Sequence, residues 1–201
     1  MKKIEFIWRH LLDSYLDHRQ VSWRQQDLAQ VFGLSSSTVN LSLKPLRELG
    51  GVRVGKRGFE IADWEKILYH WANHRRVTAD VAAQIRVNLP ILEIEGQLPG
   101  GSIPTAFTSI RERWGEPPAE YDKVYCYHPH PQVVIDRFAA ETTPGPANLF
   151  VLKSDPFISN PLSLSQLFVD LWGLSDWYAK DFVTLTKDKI SELLSWSSYQ
   201  H

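Results

Sequence analysis

The chain is predicted to fold as an α+β protein, and three features of the sequence predict this class. Amphipathic helical patterns follow one another through the first third of the chain. Short apolar runs then alternate with helical patterns, which is typical of a sheet packed against helices. Helical periodicity returns in residues 162–194. The hydrophobic content of 43% and the charged content of 22% are those of an ordinary folded protein.

The first two helices are predicted from periodicity and from their end signals. Residues 4–18 carry apolar side chains at steps of three and four, which predicts an amphipathic helix. Ser22 followed by Gln25 is a capping-box pattern that predicts the start of the second helix. Gly33 is predicted to end that helix, because glycine tolerates a left-handed backbone. The predicted core positions of the second helix are Leu28, Val31 and Phe32.

A third helix is predicted between a serine cap and a pair of glycines. Ser35 or Ser36 is the expected cap, and Gly50 with Gly51 closes the helix. Pro45 lies inside it and is expected to bend the helix or to end its regular part, because an interior proline costs about 3 kcal/mol. The predicted buried positions of this helix are Val39, Leu43, Leu46 and Leu49.

A basic hairpin and a fourth helix are predicted next. Residues 52–54 and 59–61 alternate as short strands around a turn with two glycines, Gly55-Lys56-Arg57-Gly58. Asp63 is predicted to cap a helix over residues 64–76, which either links two halves of the chain or forms a dimer surface.

This order of elements predicts a winged helix-turn-helix domain over residues 1–76 and therefore double-stranded DNA as a partner. The third helix would lie in the major groove, where Asn40 can pair bidentately with adenine. Arg24 and Gln25 are predicted to hold a phosphate together with the free N–H groups that open the second helix. Leu41 is also expected to point outward. The predicted DNA-binding residues are Arg24, Gln25, Ser36, Ser37, Thr38, Asn40, Lys44, Arg47, Lys56 and Arg57.

The charge is distributed unevenly along the chain. Residues 1–76 contain 13 Lys and Arg against 8 Asp and Glu, whereas the whole chain contains 22 and 23. The net charge of residues 1–76 is therefore +5, and that of the remainder is −6. This asymmetry either arises by chance or indicates that only the first part meets a polyanion, and the second reading agrees with the motif.

Composition also predicts the compartment. A single cysteine excludes an internal disulfide, which fits a reducing cytoplasm. The start of the chain lacks the uninterrupted apolar core of a signal peptide. No apolar run approaches the roughly 18 residues that cross a bilayer. We therefore expect a cytoplasmic protein without a membrane partner.

Residues 77–201 are predicted to form a compact α/β domain that ends in helices. Two helices are expected within residues 162–194, separated near residues 173–175. The other predicted elements are strands at residues 91–94, 124–127 and 149–152, and helices at residues 105–114 and 133–140.

Two groups in this second domain contain residue types that are found at chemical sites. Cys126, His128 and His130 have metal-ligand residue types, but a strand end with solvated histidines is the favoured interpretation, so no metal is predicted. The segment Gly100-Gly101-Ser102 is similar to the glycine–serine element of nucleotidyltransferases, but a simple turn at Gly100-Gly101 is the favoured interpretation. The paired carboxylate that holds Mg²⁺ is missing beside Asp122, so we expect at most a degenerate nucleotidyltransferase-like domain, no catalysis and no cofactor.

The segment Asn160-Pro161-Leu162-Ser163-Leu164-Ser165-Gln166-Leu167-Phe168-Val169-Asp170-Leu171, together with the amino-terminal pattern, resembles the bacterial AbiEi-type antitoxins and related winged-helix transcriptional regulators. That resemblance implies a non-catalytic carboxy-terminal domain, repression of the protein's own operon, and in some members opposition to a nucleotidyltransferase toxin. It also implies a partner surface around residues 170–182. Trp172, Trp177 and Tyr178 in this segment either stack on a ligand or belong to a core or interface, and the second interpretation is favoured.

The sequence therefore predicts a sequence-specific DNA-binding transcription regulator, a repressor that acts as a homodimer on paired half-sites. The main alternative is an antitoxin-like protein that neutralises a partner toxin, with DNA contact secondary. An enzyme acting on nucleotides is the third reading, which the missing carboxylate pair disfavours.

Overall fold

The computed structural model describes residues 1–196, and its fold is mixed α+β as predicted. The described chain forms two compact units: the first contains Met1–Arg75 together with residues 190–196, and the second is Arg76–Lys189. That residues 1–76 and 77–201 are two independently folding domains stays a prediction. Within residues 1–196, none of the helices combines the length and the apolar character that crossing a bilayer requires.

Residues 1–75 form four helices and a three-stranded antiparallel sheet of order β1-β3-β2. The predicted first three helices and the two strands of the hairpin are confirmed. The elements are α1 (Lys3–His18), β1 (Ser22–Trp23), α2 (Gln25–Phe32), α3 (Ser36–Glu48), β2 (Val52–Gly55), β3 (Gly58–Ile61) and α4 (Trp64–His74).

The core of this unit is built around two tryptophans whose polar atoms are satisfied. Trp8 on α1 and Trp71 on α4 are at most 1% exposed. The indole N–H of Trp8 donates to the carbonyl of Ser42 at 2.8 Å, and that of Trp71 donates to the carboxylate of Glu5 at 3.0 Å. Full burial of each large apolar side chain contributes about 1.5–3 kcal/mol, and these bonds remove the cost of burying an indole N–H. The helices α1, α3 and α4 are therefore held in one core.

Three expectations for α2 and α4 are wrong. Ser22 does not cap α2, because it lies in β1, where it pairs with Glu60 of β3. The N-cap residue of α2 is Arg24, whose side chain makes no capping hydrogen bond. Val31 is 55% exposed, because α2 has only eight residues and buries Leu28 alone. The fourth helix ends at His74, before residue 76.

Pro45 was expected to bend or end the third helix, and the structure shows that α3 continues through it to Glu48. The helix keeps its buried stripe on both sides of the proline, at Val39, Leu43 and Leu46. Leu49 is half-buried and is the C-cap residue rather than part of that stripe. Burial of the stripe therefore outweighs the lost backbone N–H.

The second unit contains a four-stranded mixed sheet of order β4-β7-β6-β5. The central strands β6 and β7 are parallel, and the two outer pairs are antiparallel. Side chains of β6 alternate between two apolar clusters, with Val124 and Cys126 in one and Tyr125 and Tyr127 in the other. The elements are β4 (Val81–Ile85), α5 (Ile91–Gly96), β5 (Ile103–Thr105), α6 (Ala106–Trp114), β6 (Val124–His128), α7 (Pro131–Arg137), β7 (Leu149–Lys153), α8 (Leu164–Trp172) and α9 (Ala179–Trp196), whose residues from 190 belong to the first unit.

Several predictions for the second unit are confirmed and others are wrong. Strands β6 and β7 and helices α6, α8 and α9 lie where the sequence predicts them. Residues 91–94, predicted as a strand, form the start of α5, because Pro90 is its N-cap residue and the chain turns there. The predicted helix at 133–140 is α7 followed by a short 3₁₀ turn. Strands β4 and β5 were not predicted.

Candidate nucleic-acid interface

The connection between α2 and α3 is a short turn set by one glycine. Gly33 has φ +60°, the left-handed conformation predicted for it, and the N–H of Leu34 donates to the carbonyl of Ala29 at 2.9 Å. Ser35 then caps α3, because its hydroxyl accepts from the N–H of Thr38 at 3.2 Å. The two helices are thus joined by three residues.

The buried stripe of α3 fixes which of its side chains reach the surface. Val39, Leu43 and Leu46 are at most 1% exposed, so the opposite face is free. Leu41 is 62% exposed, as expected for that face. Of the predicted DNA-binding residues on α3, Ser36, Ser37, Asn40 and Lys44 are exposed, and Thr38 and Arg47 are half-buried.

Two pairs of the predicted residues are organised on this face. The guanidinium of Arg47 donates to the side-chain oxygen of Asn40 at 2.9 Å. The ammonium of Lys44 lies 4.0 Å from the carboxylate of Glu48, and both side chains are well exposed. The first contact orients the Asn40 amide, whereas the second is a surface pair that water screens and that costs little to break.

The hairpin presents two cations at its tip. Lys56 and Arg57 form the turn between β2 and β3 and are fully on the surface. Within residues 1–196, neither side chain has an ion pair or a hydrogen bond. Three residues before Lys56, on β2, the guanidinium of Arg53 lies 3.3 Å from the carboxylate of Glu60 on the facing strand β3.

A cavity of about 580 Å³ lies between α2 and the three-stranded sheet. It brings two of the predicted residues together, since both Arg24 and Arg57 line it. Arg53, which was not predicted, lines it as well. Gln25, the first residue of α2, is half-buried and is not among the lining residues, and neither is Lys56.

The predicted residues other than Gln25 therefore fall into two groups in the structure. The α3 group contains the hydroxyls, Asn40, Lys44 and Arg47, and the second group contains the cations of the hairpin and Arg24. Arg53 and the exposed Val54 beside it were missed, because alternation along a strand does not tell which face is covered. The only usable signal was the high density of arginine and lysine in residues 53–57.

In the second unit, the segment around Cys126 is part of the core. Cys126 is fully buried, and burial raises the pKa of its thiol to about 12, so the thiol stays protonated at neutral pH. His128 was expected to be solvated but is 4% exposed. Its Nδ1 accepts from the N–H of His130 at 3.0 Å, and its Nε2 donates to the carbonyl of Gly100 at 3.3 Å. Among the described residues no cluster of three or more His, Cys, Asp or Glu is placed to hold a metal ion.

The turn at Gly100-Gly101 is confirmed, since the N–H of Ser102 donates to the carbonyl of Pro99 at 3.1 Å. Asp122 accepts from the hydroxyl of Tyr178 at 2.6 Å. Gly100-Gly101 and Asp122 therefore have structural roles.

The late motif places a buried carboxylate at the centre of a hydrogen-bond network. Asp170 on α8 is fully buried and accepts from Thr105 at 2.8 Å and from Tyr127 at 2.7 Å. Gln166, one turn earlier on α8, donates to it at 2.9 Å. Asp170 therefore links α8 to β5 and β6. Within residues 170–182, Trp172 is 41% exposed and Trp177 is 83% exposed, and Lys180 and Asp181 are exposed as well.

The chain matches no family model, and comparisons with curated proteins and with solved structures give no match either.

Proposed function

We propose that residues 1–75 form a winged helix-turn-helix that binds double-stranded DNA, and that the protein is a sequence-specific transcription regulator. The observation that carries this proposal is the pair of unpartnered cations at the hairpin tip, Lys56 and Arg57. Cations without an intramolecular partner have no ion pair to break when they contact a phosphate, so the release of counterions from the DNA favours binding without that cost. In this reading the hairpin is the wing.

The α3 helix supplies the base-reading part of the proposal. It follows α2 after a three-residue turn and leaves a polar face uncovered, as a recognition helix requires. The amide of Asn40 is the group with the geometry to pair with adenine, and the hydroxyls of Ser36 and Ser37 are placed for phosphate or base edges. Arg24 supports the backbone contacts, because α2 begins without a side-chain cap and its first N–H groups lack a side-chain acceptor.

Repression and dimerisation complete the proposal. One unit of this size reads few bases, and a homodimer on paired half-sites multiplies that limited specificity. The resemblance of residues 160–171 to AbiEi-type regulators implies that the operator lies upstream of the protein's own gene. We therefore propose autoregulatory repression in the cytoplasm.

The wing is tested by removing its two cations. Lys56→Ala with Arg57→Ala is expected to weaken binding to every DNA sequence and to lower the slope of log K against log salt concentration by about 1–2, because each lost phosphate contact releases about 0.9 fewer counterions. Fluorescence anisotropy with labelled DNA from upstream of the gene, measured over a range of salt concentrations, gives both the affinity and the slope.

A charge-matched control separates the loss of phosphate contacts from the effect of the protein's lower net charge. Lys3→Ala with Arg76→Ala removes the same two positive charges from exposed positions outside the predicted interface. This control is expected to keep the salt slope of the parent protein. An unchanged slope in the wing variant, or equal losses in both variants, would show that the wing does not hold phosphate.

A second function, partner binding by the second unit, is favoured by the exposed aromatic side chain of Trp177. Soluble surfaces rarely expose a tryptophan to this extent, and tryptophan is enriched where proteins contact one another. Co-expression with the product of the neighbouring gene tests this antitoxin-like reading. If the products co-purify and Trp177→Ser abolishes the complex while DNA affinity is kept, partner binding is a separate task.

The proposal contains no catalytic step and no cofactor. The carboxyl group of Asp122, where a nucleotidyltransferase would need a metal-holding pair, accepts a hydrogen bond from Tyr178 instead. Turnover of a nucleotide in the presence of Mg²⁺ would contradict this part of the proposal.

A further inference from the structure

The cavity between α2 and the sheet has the size and the lining of a small-molecule site. Its volume of about 580 Å³ falls within the roughly 300–1,000 Å³ of typical ligand pockets. One wall is aromatic, since the rings of Trp23 and Phe59 stack with centroids 6.0 Å apart and an interplanar angle of 21°. Val31 and Val54, which also line the cavity, are 55% and 51% exposed, so the structure leaves this apolar surface uncovered.

The charges around the cavity favour an anion. Three guanidinium groups line it, from Arg24, Arg53 and Arg57, against the carboxylates of Asp27 and Glu60. Because Arg53 pairs with Glu60, the balance of the remaining groups is positive. Arg24 and Arg57 have no ion pair or hydrogen bond within the described part of the chain.

Two further lining residues fit the same interpretation. Burial lowers the pKa of His10, so its ring is neutral near pH 7 and the positive charge at this site belongs to arginines. Trp23 is 6% exposed, and its indole N–H has no hydrogen-bond partner within residues 1–196. A buried donor without a partner is uncommon and marks a place where the native contacts are incomplete.

We propose that this cavity binds a small organic anion with a flat apolar body, of the class of aromatic carboxylates. The ring of such a ligand packs against Trp23, Phe59 and the exposed valines, and its carboxylate pairs with Arg57 and Arg24. Planar guanidinium groups suit a carboxylate, because two parallel N–H groups donate to its two oxygens. Inorganic phosphate has the charge and lacks the apolar body, so it binds more weakly.

This inference extends the proposed function at one point, which rests on that function. Arg24 and Arg57 are also proposed phosphate contacts. When a ligand carboxylate pairs with these two arginines, they are no longer available to contact the DNA backbone. The ligand therefore acts as an effector that releases the operator.

Direct binding is measured by isothermal titration of the full-length protein with 1-naphthoate, without DNA. The proposal expects saturable binding of 1-naphthoate, and binding at least tenfold weaker for the uncharged 1-naphthamide and for inorganic phosphate. Arg57→Ala is expected to weaken 1-naphthoate binding about tenfold or more, because it removes a charge-assisted pair. Lys56→Ala is the matched control: it removes the adjacent cation, which does not line the cavity, and leaves the affinity unchanged.

A second substitution tests the cavity independently of Arg57. Val54→Asp places a carboxylate on the cavity wall at a position exposed enough to accept it, and it too is expected to weaken 1-naphthoate binding about tenfold. Circular dichroism confirms that both variants fold. Absence of binding by 1-naphthoate, equal binding of the naphthamide, or equal losses in the Arg57 and Lys56 variants would overturn the proposal.

The DNA arm keeps the two proposals distinguishable. If 1-naphthoate binds with the expected pattern and no DNA is bound, the cavity stands and the regulator proposal fails. If operator DNA is bound and 1-naphthoate is not, the cavity proposal fails alone. When both bind, 1-naphthoate is expected to weaken DNA binding in the parent protein and to lose that effect in Val54→Asp.

Discussion

At the scale of single residues, Asn40 and Arg47 form a coupled pair on the exposed face of α3. Seven residues separate them, which is two helical turns, so both project from the same side of the helix. The hydrogen bond from Arg47 uses one lone pair of the Asn40 oxygen and leaves its NH₂ group and the second lone pair free. Asn40 is thereby held in one orientation before any DNA is bound, which reduces the entropy lost on binding.

Asn40→Ala is expected to relax the preference for one base pair, at a cost of about 1–3 kcal/mol on the preferred sequence and little on the others. Competition binding with operator fragments that vary at each position measures this. Lys44→Ala is the comparison, because a phosphate contact carries no sequence information and its loss weakens all fragments alike. A uniform loss for Asn40→Ala would show that Asn40 does not read a base.

The exposure of Asn40 could be predicted from sequence, whereas that of Val31 could not. The α3 stripe has three buried positions at regular spacing, so the opposite face follows from periodicity alone. Helix α2 has eight residues, which is too short for periodicity to define a face. Arg53 was missed for a related reason: which side of a two-stranded hairpin is covered depends on distant elements.

At the scale of elements, the sheet of the first unit depends on a close approach at Gly58. A Cβ atom at Gly58 would lie 2.1 Å from the carbonyl oxygen of Trp23, and the φ of Gly58 is +154°. No side chain fits there without separating β1 from β3. Gly55, at the other end of the same turn, has only the carbonyl oxygen of Gly58 nearby, at 4.0 Å.

Gly58→Ala is therefore expected to lower the free energy of unfolding by about 1–3 kcal/mol, through strain and the lost pairing of β1 with β3. Gly55→Ala, the matched control, is expected to change it by no more than about 0.5 kcal/mol. Chemical denaturation gives the free energies, and hydrogen exchange shows whether the amides of β3 that face β1 lose protection. Similar losses in the two variants would mean that the close approach is unimportant.

Which elements could be predicted depended on how strongly local signals outweigh tertiary ones. The hairpin was predictable because two glycines bracket its turn. Strand β5 contains Pro104, which disfavours a strand assignment, and only its edge position in the sheet permits it. Ser22 has a capping pattern, but in the structure it is part of strand β1 and pairs with β3. Whether Ser22 caps a helix or joins a strand therefore depends on residues more than thirty positions away in the sequence.

At the scale of the whole molecule, the two units differ in core and in charge. The positive balance lies in residues 1–76, where the proposed DNA-binding residues are, and the negative balance lies in the remainder. A polyanion is therefore expected to meet the first unit only. The second unit has its own sheet and two apolar clusters of its own, so it has the means to fold as a separate cooperative structure.

This organisation predicts two thermal transitions. A chain with two independent cores violates two-state unfolding, so calorimetry is expected to show two heat-absorption peaks, with a van't Hoff enthalpy below the calorimetric one. Leu12 in the first unit and Leu149 in the second are both fully buried and form a matched pair. Leu12→Ala and Leu149→Ala each cost about 2–5 kcal/mol, and each is expected to lower the midpoint of a different peak by roughly 10 °C or more while leaving the other in place. A single transition that both substitutions shift equally would show that the chain unfolds as one cooperative body, in which case the boundary near residue 76 divides the structure but not its stability.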